Sequence, residues 1–279
     1  MSEEWRRFPE GVPASRLLDF GSAAERRGDL VAAGNWYFHA KRRGAFDARG
    51  KLSSLSQMIE GLADAGDADA KALLAGIALD DGSNSKALRL FREAAELGAV
   101  EAKRGLGYML TNGIGVQRDS VAASRLLLEA AKSGDGYAAY NLAVNYYNGD
   151  GVTRNAREFL RWLRFAAELG IPEACAFLGD KLSAQGNLDE ALIFYVRAAK
   201  SGHVPAMLLV GRRYRDGIGA PSNLVQAVRW FLAMLDRGNG DGVHEALELV
   251  PEMTVEQIRE AGRLSNREAD AEVLIRRKG

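Results

Sequence analysis

Apolar residues recur along most of this chain at the spacing of an amphipathic α-helix. In six segments a glycine closes such a run, and the residues four, seven, eight and eleven positions before it are small or apolar. These offsets fall on one face of a helix with 3.6 residues per turn. The pattern predicts a helix, termed helix B, that buries this face and ends at a glycine with positive φ. The closing glycines are Gly44, Gly98, Gly134, Gly170, Gly202 and Gly238, with a weaker copy at Gly66.

Helix B combines a small residue with large ones, which favours close packing against a neighbouring helix. Alanine stands eleven residues before the glycine in every segment except one, where Phe159 replaces it. Seven residues before the glycine stand the large side chains of Tyr37, Phe91, Leu127, Leu163, Tyr195 and Phe231. The adjacent core position holds Trp36, Trp162 and Trp230, which we expect to be packing residues rather than a stacking surface for bases.

A second helix, termed helix A, is predicted before each helix B. Its marker is an apolar residue followed by a small one. A glycine inside a helix costs about 1 kcal/mol relative to alanine, so its recurrence predicts close contact with the paired helix B. The markers are Phe20-Gly21, Ala75-Gly76, Leu106-Gly107, Leu142-Ala143, Leu178-Gly179 and Val210-Gly211.

The spacing of the closing glycines indicates tandem repeats. From Gly66 onward they are 32, 36, 36, 32 and 36 residues apart. The longer units carry an extended turn between the two helices, as in Asn112-Gly113-Ile114-Gly115-Val116. Four residues make about one helical turn, so a unit can gain or lose this loop while its helices stay in phase.

The run from Leu106-Gly107 through Asn112-Gly113-Ile114-Gly115-Val116 to Gly134 resembles the Sel1-like repeat, a relative of the tetratricopeptide repeat. The resemblance extends over residues 14–246. It implies an all-α, right-handed α-solenoid of tandem helix-turn-helix repeats, with about seven helix pairs. Because the unit at residues 45–66 is degenerate, we expect a local irregularity in curvature there.

The predicted organisation has four parts. Residues 1–13 form an N-terminal extension, residues 14–66 hold tetratricopeptide-like and degenerate repeats, and residues 67–246 hold the Sel1-like repeats. Residues 247–279 are expected to form a C-terminal capping helix. The sequence Thr254-Val255-Glu256-Gln257 fits a capping box that opens this helix, which is predicted to run to about residue 276.

Charge and composition exclude several classes of function. The 37 basic and 37 acidic side chains leave no net charge, whereas binding through nucleic-acid phosphates needs a concentrated basic face. No stretch approaches the 18 or more apolar residues of a membrane span. The first residues lack the apolar core of a signal peptide, and a single cysteine allows no intramolecular disulfide. We therefore expect a cytoplasmic protein, with bacterial-type repeats.

Catalytic, cofactor and metal sites are not predicted. The Gly-x-Gly turns lack the Lys-Ser/Thr of a phosphate-binding loop, and the acidic runs at residues 64–69 and 80–81 fit helix caps and turns better than a calcium loop. His39, His203 and His244 have no second ligand at helical spacing. Cys175 is predicted to be a small buried apolar residue, since the sequence nominates no base beside it. We expect no enzyme.

The candidate binding site lies on helix A. In tetratricopeptide-like arrays, the helix A residues that face away from helix B line a concave groove. By position these would be Arg104, Tyr108, Thr111, Asn112, Tyr137, Tyr140, Val144, Tyr147, Asn148, Asp180, Ser183, Arg212, Arg215 and Asp216. Tyrosine and arginine are enriched where proteins bind each other, although the same residues also fit an ordinary solvated helix face.

Three functions stay open at this point. The first is a scaffold or adaptor that binds a peptide or partner helix in the groove, with Tyr140, Tyr147 and Arg212 as hot spots. The second is a regulatory subunit that binds an enzyme or signalling protein through its convex face or C-terminal helix. The third and least favoured is a hydrolase of cell-wall fragments, because such activity is implied only for exported, disulfide-laced relatives. The expected partner is another protein or peptide, bound by a monomer or weak homodimer.

Overall fold

The computed structural model describes residues 12–278, and every regular element within them is helical. The predicted all-α class is confirmed. The chain forms two compact units, one that ends at Leu169 and one that begins at Gly170. Residues 1–11 of the predicted N-terminal extension lie outside the described residues. Within the described part, no helix is both long enough and apolar enough to cross a membrane.

Nine helices make up the described part of the first unit. They are α1 (Ala14–Arg26), α2 (Leu30–Arg42), α3 (Ala48–Asp64), α4 (Ala68–Asp80), α5 (Asn84–Glu96), α6 (Val100–Asn112), α7 (Ser120–Lys132), α8 (Gly136–Asn148) and α9 (Ala156–Glu168). The predicted A and B helices correspond to the pairs α1–α2, α4–α5, α6–α7 and α8–α9. The degenerate unit is a single long helix, α3, between α2 and α4, rather than a seventh pair. The prediction of about seven helix pairs is therefore corrected to six within residues 12–278.

The second unit contains α10 (Pro172–Ala184), α11 (Leu188–Lys200), α12 (Val204–Asp216), α13 (Leu224–Ala233), α14 (Asp241–Leu249), α15 (Val255–Ser265) and α16 (Glu268–Arg276). The predicted capping box is confirmed. The Thr254 side chain accepts from the backbone N–H of Gln257, and the Gln257 side chain accepts from the backbone N–H of Thr254. The prediction of a single helix that runs to residue 276 is wrong. The helix breaks at Asn266, whose φ of 55° ends α15. An asparagine tolerates this left-handed conformation better than most residues, so the chain turns without a glycine.

In four of the six pairs, the internal glycine of helix A faces the large side chain of the paired helix B, as the sequence predicts. The prediction is wrong for Gly76 of α4, which lies nearest Phe38 of α2, and α8 carries Ala143 at this position. A Cβ added to Gly179 would lie 2.8 Å from Cε1 of Tyr195, and one added to Gly107 would lie 3.0 Å from Cγ of Leu127. Gly21 and Gly211 are covered in the same way by the rings of Tyr37 and Phe231. The close approach of the two backbones therefore accounts for glycine at these helical positions.

The core of each unit is built from the repeating helix B positions. The alanines eleven residues before the closing glycine are fully buried, and the three tryptophans at the neighbouring position are nearly so. This confirms the packing role predicted for Trp36, Trp162 and Trp230. Each closing glycine from Gly44 to Gly238 has the positive φ expected after a helix.

The longer turns have a contact that periodicity alone does not reveal. In the first unit, Gly151 lies directly against the backbone of Ser120 at the start of α7, and no Cβ fits between them. Beside it, Ser124 donates to the carbonyl of Asp150 at 3.0 Å, and Asn145 donates to Ser124 at 2.9 Å. The turn of one helix pair is thereby attached to helix B of the preceding pair.

Candidate functional site

The predicted site residues lie at equivalent positions of four helices. The helices α6, α8, α10 and α12 each have thirteen residues, and at 100° per residue the second, fifth, ninth, twelfth and thirteenth positions share one face. We use the term A-face for this side of a helix, in α6 and α8 of the first unit and in α10 and α12 of the second. It carries the predicted residues Arg104, Tyr108, Asn112, Tyr137, Tyr140, Tyr147 and Asn148 in the first unit and Asp180, Arg212 and Arg215 in the second. All ten are partly or fully exposed.

In the first unit, Arg104 is held by residues of the next helix pair. Its guanidinium lies 3.1 Å from the carboxylate of Asp135 and 5.6 Å from the ring centroid of Tyr137. Asp135 is nearly buried and also caps α8 by accepting from the backbone N–H of Ala138 at 2.8 Å. The pair joins α6 to α8 and fixes the orientation of one A-face cation.

Tyr108 and Tyr147 present the largest exposed apolar surface among these residues. Their exposed fractions are 47% and 38%. The Tyr147 ring packs on Phe159 with centroids 5.0 Å apart, and the Arg154 guanidinium lies 5.7 Å from its centroid. Phe159 stands where other B helices carry alanine. The substitution thus supplies a platform that restricts the Tyr147 ring before any partner arrives.

The arginines of the second unit already have partners. Arg212 and Arg215 lie 2.5 and 3.0 Å from the carboxylate of Glu245 in α14, and Arg215 also pairs with Asp216 at 2.7 Å. The hydrogen bond from Arg212 is the largest cause of the lowered pKa of Glu245. Because these charges are balanced within the chain, they offer a partner less electrostatic attraction than the sequence suggests.

Sequence reasoning missed a buried cation beneath the A-face of the second unit. Arg213 is only 8% exposed, donates to Ser183 at 2.7 Å, and lies 4.8 Å above the Tyr195 ring. The Tyr195 hydroxyl donates to Asp180 at 2.7 Å, and burial, followed by this bond, raises its pKa to about 12. Asp180 and Ser183 are therefore the surface ends of a buried polar cluster.

The position of Arg213 within the repeat is one indication that its side chain is buried. It stands two residues after Gly211, and the equivalent residues in α6 and α8 are Met109 and Asn145, which are both buried. The side chain is buried at this position in α6, α8 and α12, whereas its equivalent in α10, Lys181, is only partly buried. Two of the Arg213 nitrogens, Nε and Nη1, are buried without a hydrogen-bond partner.

Cys175, His203 and His39 have surroundings that suit a structural role. Cys175 is buried as predicted, and burial raises the pKa of its thiol to about 11, so it is protonated at neutral pH. His203 caps α12, with its Nδ1 accepting from the backbone of Ala206 at 3.1 Å. Burial, reinforced by nearby arginines, lowers the pKa of His39 to about 3. Among residues 12–278, no three His, Cys, Asp or Glu side chains are grouped to hold a metal ion.

The acidic runs have two different roles. Asp67 is the N-cap of α4, accepting from the backbone of Ala70 at 2.8 Å, as predicted. Asp80 and Asp81 lie instead at the end of α4, where both pair with Lys41.

Five consecutive segments, covering more than half of the chain, match the family model of the Sel1 repeat: residues 68–98, 100–135, 136–171, 172–203 and 204–239. The chain belongs to the Sel1 repeat family. The resemblance predicted from the sequence is confirmed. Sel1 repeats are in general protein–protein interaction modules, and the match indicates no catalytic family.

A solved structure of a Sel1 repeat protein shares the fold. A Sel1 repeat protein from Oxalobacter formigenes is 24% identical, with a TM-score of 0.65 over 86% of this chain and 76% of its own. A protective antigen of uropathogenic Escherichia coli is 23% identical, with a TM-score of 0.46 over 95% of this chain and 70% of its own. The first likeness confirms the predicted solenoid class.

A relative of described function is the DAP3-binding cell death enhancer 1 of Mus musculus. It is 40% identical over 162 residues, which make up 57% of this chain and 32% of the mouse protein. The chain thus spans about a third of the length of this relative.

Proposed function

We propose that this Sel1 repeat protein is a scaffold or adaptor that binds a peptide or a helix of a partner protein on its A-face. The observation that carries the proposal is the set of exposed tyrosines on α6 and α8, above all Tyr147 with its ring already packed on Phe159. We further propose that it acts by binding alone, as a cytoplasmic monomer or weak homodimer.

A rigid aromatic surface supports this proposal because its side chains lose little conformational entropy when a partner binds. A tyrosine ring has two side-chain torsions, and packing against Phe159 and Arg154 restricts those of Tyr147 before binding. Tyr108 adds a second exposed ring, and Asn148 adds an amide at the end of the same face of α8. Aromatic anchors surrounded by polar groups are the usual composition of binding hot spots.

The mouse relative is named as a binding protein, which supports a binding function for the repeats that the two chains share. The Sel1 repeat is itself an interaction module in general.

A second candidate surface is the outer side of the B helices. Val121 of α7 and Ile193 of α11 are 69% and 59% exposed, more than any tyrosine on the A-face. Among the last two helices, Leu264 and Val273 are also exposed. These side chains favour the alternative of a regulatory subunit that binds through its convex face or C-terminal helices.

Cross-linked affinity capture from the native host, followed by mass spectrometry, separates the two surfaces. The baits are the wild type, a Tyr140→Ala/Tyr147→Ala variant, and a matched Val121→Ala/Ile193→Ala variant. Arg212→Ala is tested separately, because it also breaks the ion pair with Glu245. We expect a partner that is captured by the wild type and the helix B variant but lost from the tyrosine variant. Loss from the helix B variant alone would contradict the A-face proposal.

A further inference from the structure

The unpaired helix α3 opens a cavity in the first unit. Elsewhere in the first unit, α6 and α8 each pack directly on helix B of the preceding pair, α5 and α7 respectively. Here α3 stands between α2 and α4, and the space that remains between them is about 440 Å³. Residues of α2, α3, α4 and the start of α5 line it. This volume is in the range of ligand-binding pockets, which is about 300–1,000 Å³.

The cavity has an apolar floor and small residues on one wall. Leu74 and Ile77 of α4 are partly exposed and supply the accessible apolar surface, and Leu52 and Ile59 of α3 are buried behind it. On α3, the residues between them that face the cavity are Ser53 and Ser56. Because these side chains are too small to fill the gap between α3 and α4, the floor stays accessible.

Positive charge is concentrated at one end of the cavity. Arg49 stands in the first turn of α3 and Lys86 in the first turn of α5, next to the end of the antiparallel α4. Within residues 12–278 neither makes an ion pair, whereas Lys41 beside them is balanced by Asp80 and Asp81. The one unpaired lining carboxylate, Glu60, is near the other end of α3.

Two helix N-termini reinforce this charge. The N-cap residues of α3 and α5 are Asp47 and Ser83, and neither side chain accepts a bond from its helix. By contrast, Asp29 and Asp67 do cap α2 and α4. Uncapped backbone N–H groups and the helix dipoles favour an anionic group at this end.

We propose that this cavity is a second docking site, separate from the A-face, for an acidic amphipathic segment of a partner protein. The segment places apolar side chains on Leu74 and Ile77, and directs carboxylates toward Arg49 and Lys86. The apolar contacts supply affinity, and the two unpaired cations select an acidic segment over a basic one.

The test uses a phage-displayed library of random 12-residue peptides, selected on the full-length protein and counter-selected on Ser56→Phe. The introduced ring fills the cavity from an exposed position of α3. We expect enriched peptides that combine apolar residues with Asp or Glu. By fluorescence polarisation, their Kd should rise at least about tenfold, about 1.4 kcal/mol, in Ser56→Phe and in Arg49→Glu/Lys86→Glu.

Matched controls separate the cavity from general effects. Ser54→Phe adds the same ring to α3 outside the cavity lining, and Arg92→Glu/Arg125→Glu reverses two exposed charges elsewhere in the unit. Both should leave the Kd within about twofold of wild type. Circular dichroism checks that each variant is folded. The proposal is overturned if no peptide is enriched over the counter-selection, if the enriched peptides are basic, or if Arg49→Glu/Lys86→Glu binds them unchanged.

Discussion

Single side chains decide how closely the helices of this protein approach. Ala191 of α11 is fully buried, while Ile193 on the same helix is mostly exposed. The site of Ala191 accommodates only a methyl group, whereas the side chain of Ile193 faces solvent. Protein interiors are packed as densely as organic crystals, so a larger or charged group at a closed position has no space to occupy.

Ala191→Glu should lower the free energy of unfolding by roughly 3–5 kcal/mol, because it buries a carboxylate that has no partner. Ile193→Glu is the matched control and should change stability by less than about 1 kcal/mol. Urea unfolding followed by circular dichroism measures both. An unchanged midpoint for Ala191→Glu would show that the helix register is wrong.

The pKa of His39 predicts a pH dependence of stability. Burial, with the charges of Arg104, Arg42 and Arg43, lowers this pKa from 6.5 to about 3. The unfolded chain therefore takes up the proton first as the pH falls. Stability due to neutral His39 is present above pH 6.5 and is lost between 6.5 and about 3.

Urea unfolding of wild type and His39→Gln at about pH 7.5 and pH 4.5 tests this dependence. Between these two pH values, the free energy of unfolding should fall by about 1–3 kcal/mol more in the wild type than in the variant. Equal losses in the two proteins would mean that His39 takes up a proton readily in the folded state.

Residue contacts within one helix pair were predictable from the sequence, and contacts between pairs were not. The fit of Gly179 against Tyr195 follows from a repeated spacing of sixteen residues. The pairing of Arg212 with Glu245 joins residues 33 apart, beyond the last regular repeat. Periodicity does not mark such pairs, and three predicted site residues, Arg104, Arg212 and Arg215, proved to be paired within the chain itself.

The helices have the bounds that the repeat predicts wherever a glycine stands at the expected turn position. Six pairs have the predicted order, and each ends at the predicted glycine. The two departures have local causes. In residues 45–66 the glycines before Gly66, Gly50 and Gly61, both lie inside α3 and lack the positive φ of a turn, so the segment forms one helix. In the C-terminal segment, an asparagine takes over the helix-ending role that glycine has elsewhere.

Two glycines of the same turn should respond differently to substitution. Gly149 and Gly151 both have positive φ, 84° and 69°, but only Gly151 is pressed against the backbone of Ser120. Gly149→Ala should cost about 1 kcal/mol from backbone strain alone. Gly151→Ala should cost about 2–4 kcal/mol, since α7 and the turn must also move apart.

Thermal unfolding of the two variants provides the comparison. A melting temperature for Gly151→Ala equal to that of Gly149→Ala would mean that the turn does not hold the preceding helix B. The turn would then be only a connection between α8 and α9.

Within each unit, stability is distributed over the helix pairs. Each helix pair mainly contacts its neighbours, so the free energy of each unit is roughly a sum of pair and interface contributions. Such a fold presents the same helix face several times, and its chemistry can differ from repeat to repeat. On the A-face, tyrosines predominate in α8, whereas balanced charges predominate in α12.

Site-specific photocrosslinking in the native host tests whether the A-face is the binding surface. A benzophenone amino acid replaces Tyr108 or Tyr147 in one pair of variants, and Val121 or Ile193 in the other. The A-face proposal predicts that the first pair crosslinks a common partner and that the second pair does not. A partner that crosslinks only from Val121 and Ile193 would contradict it and assign binding to the outer side of the B helices.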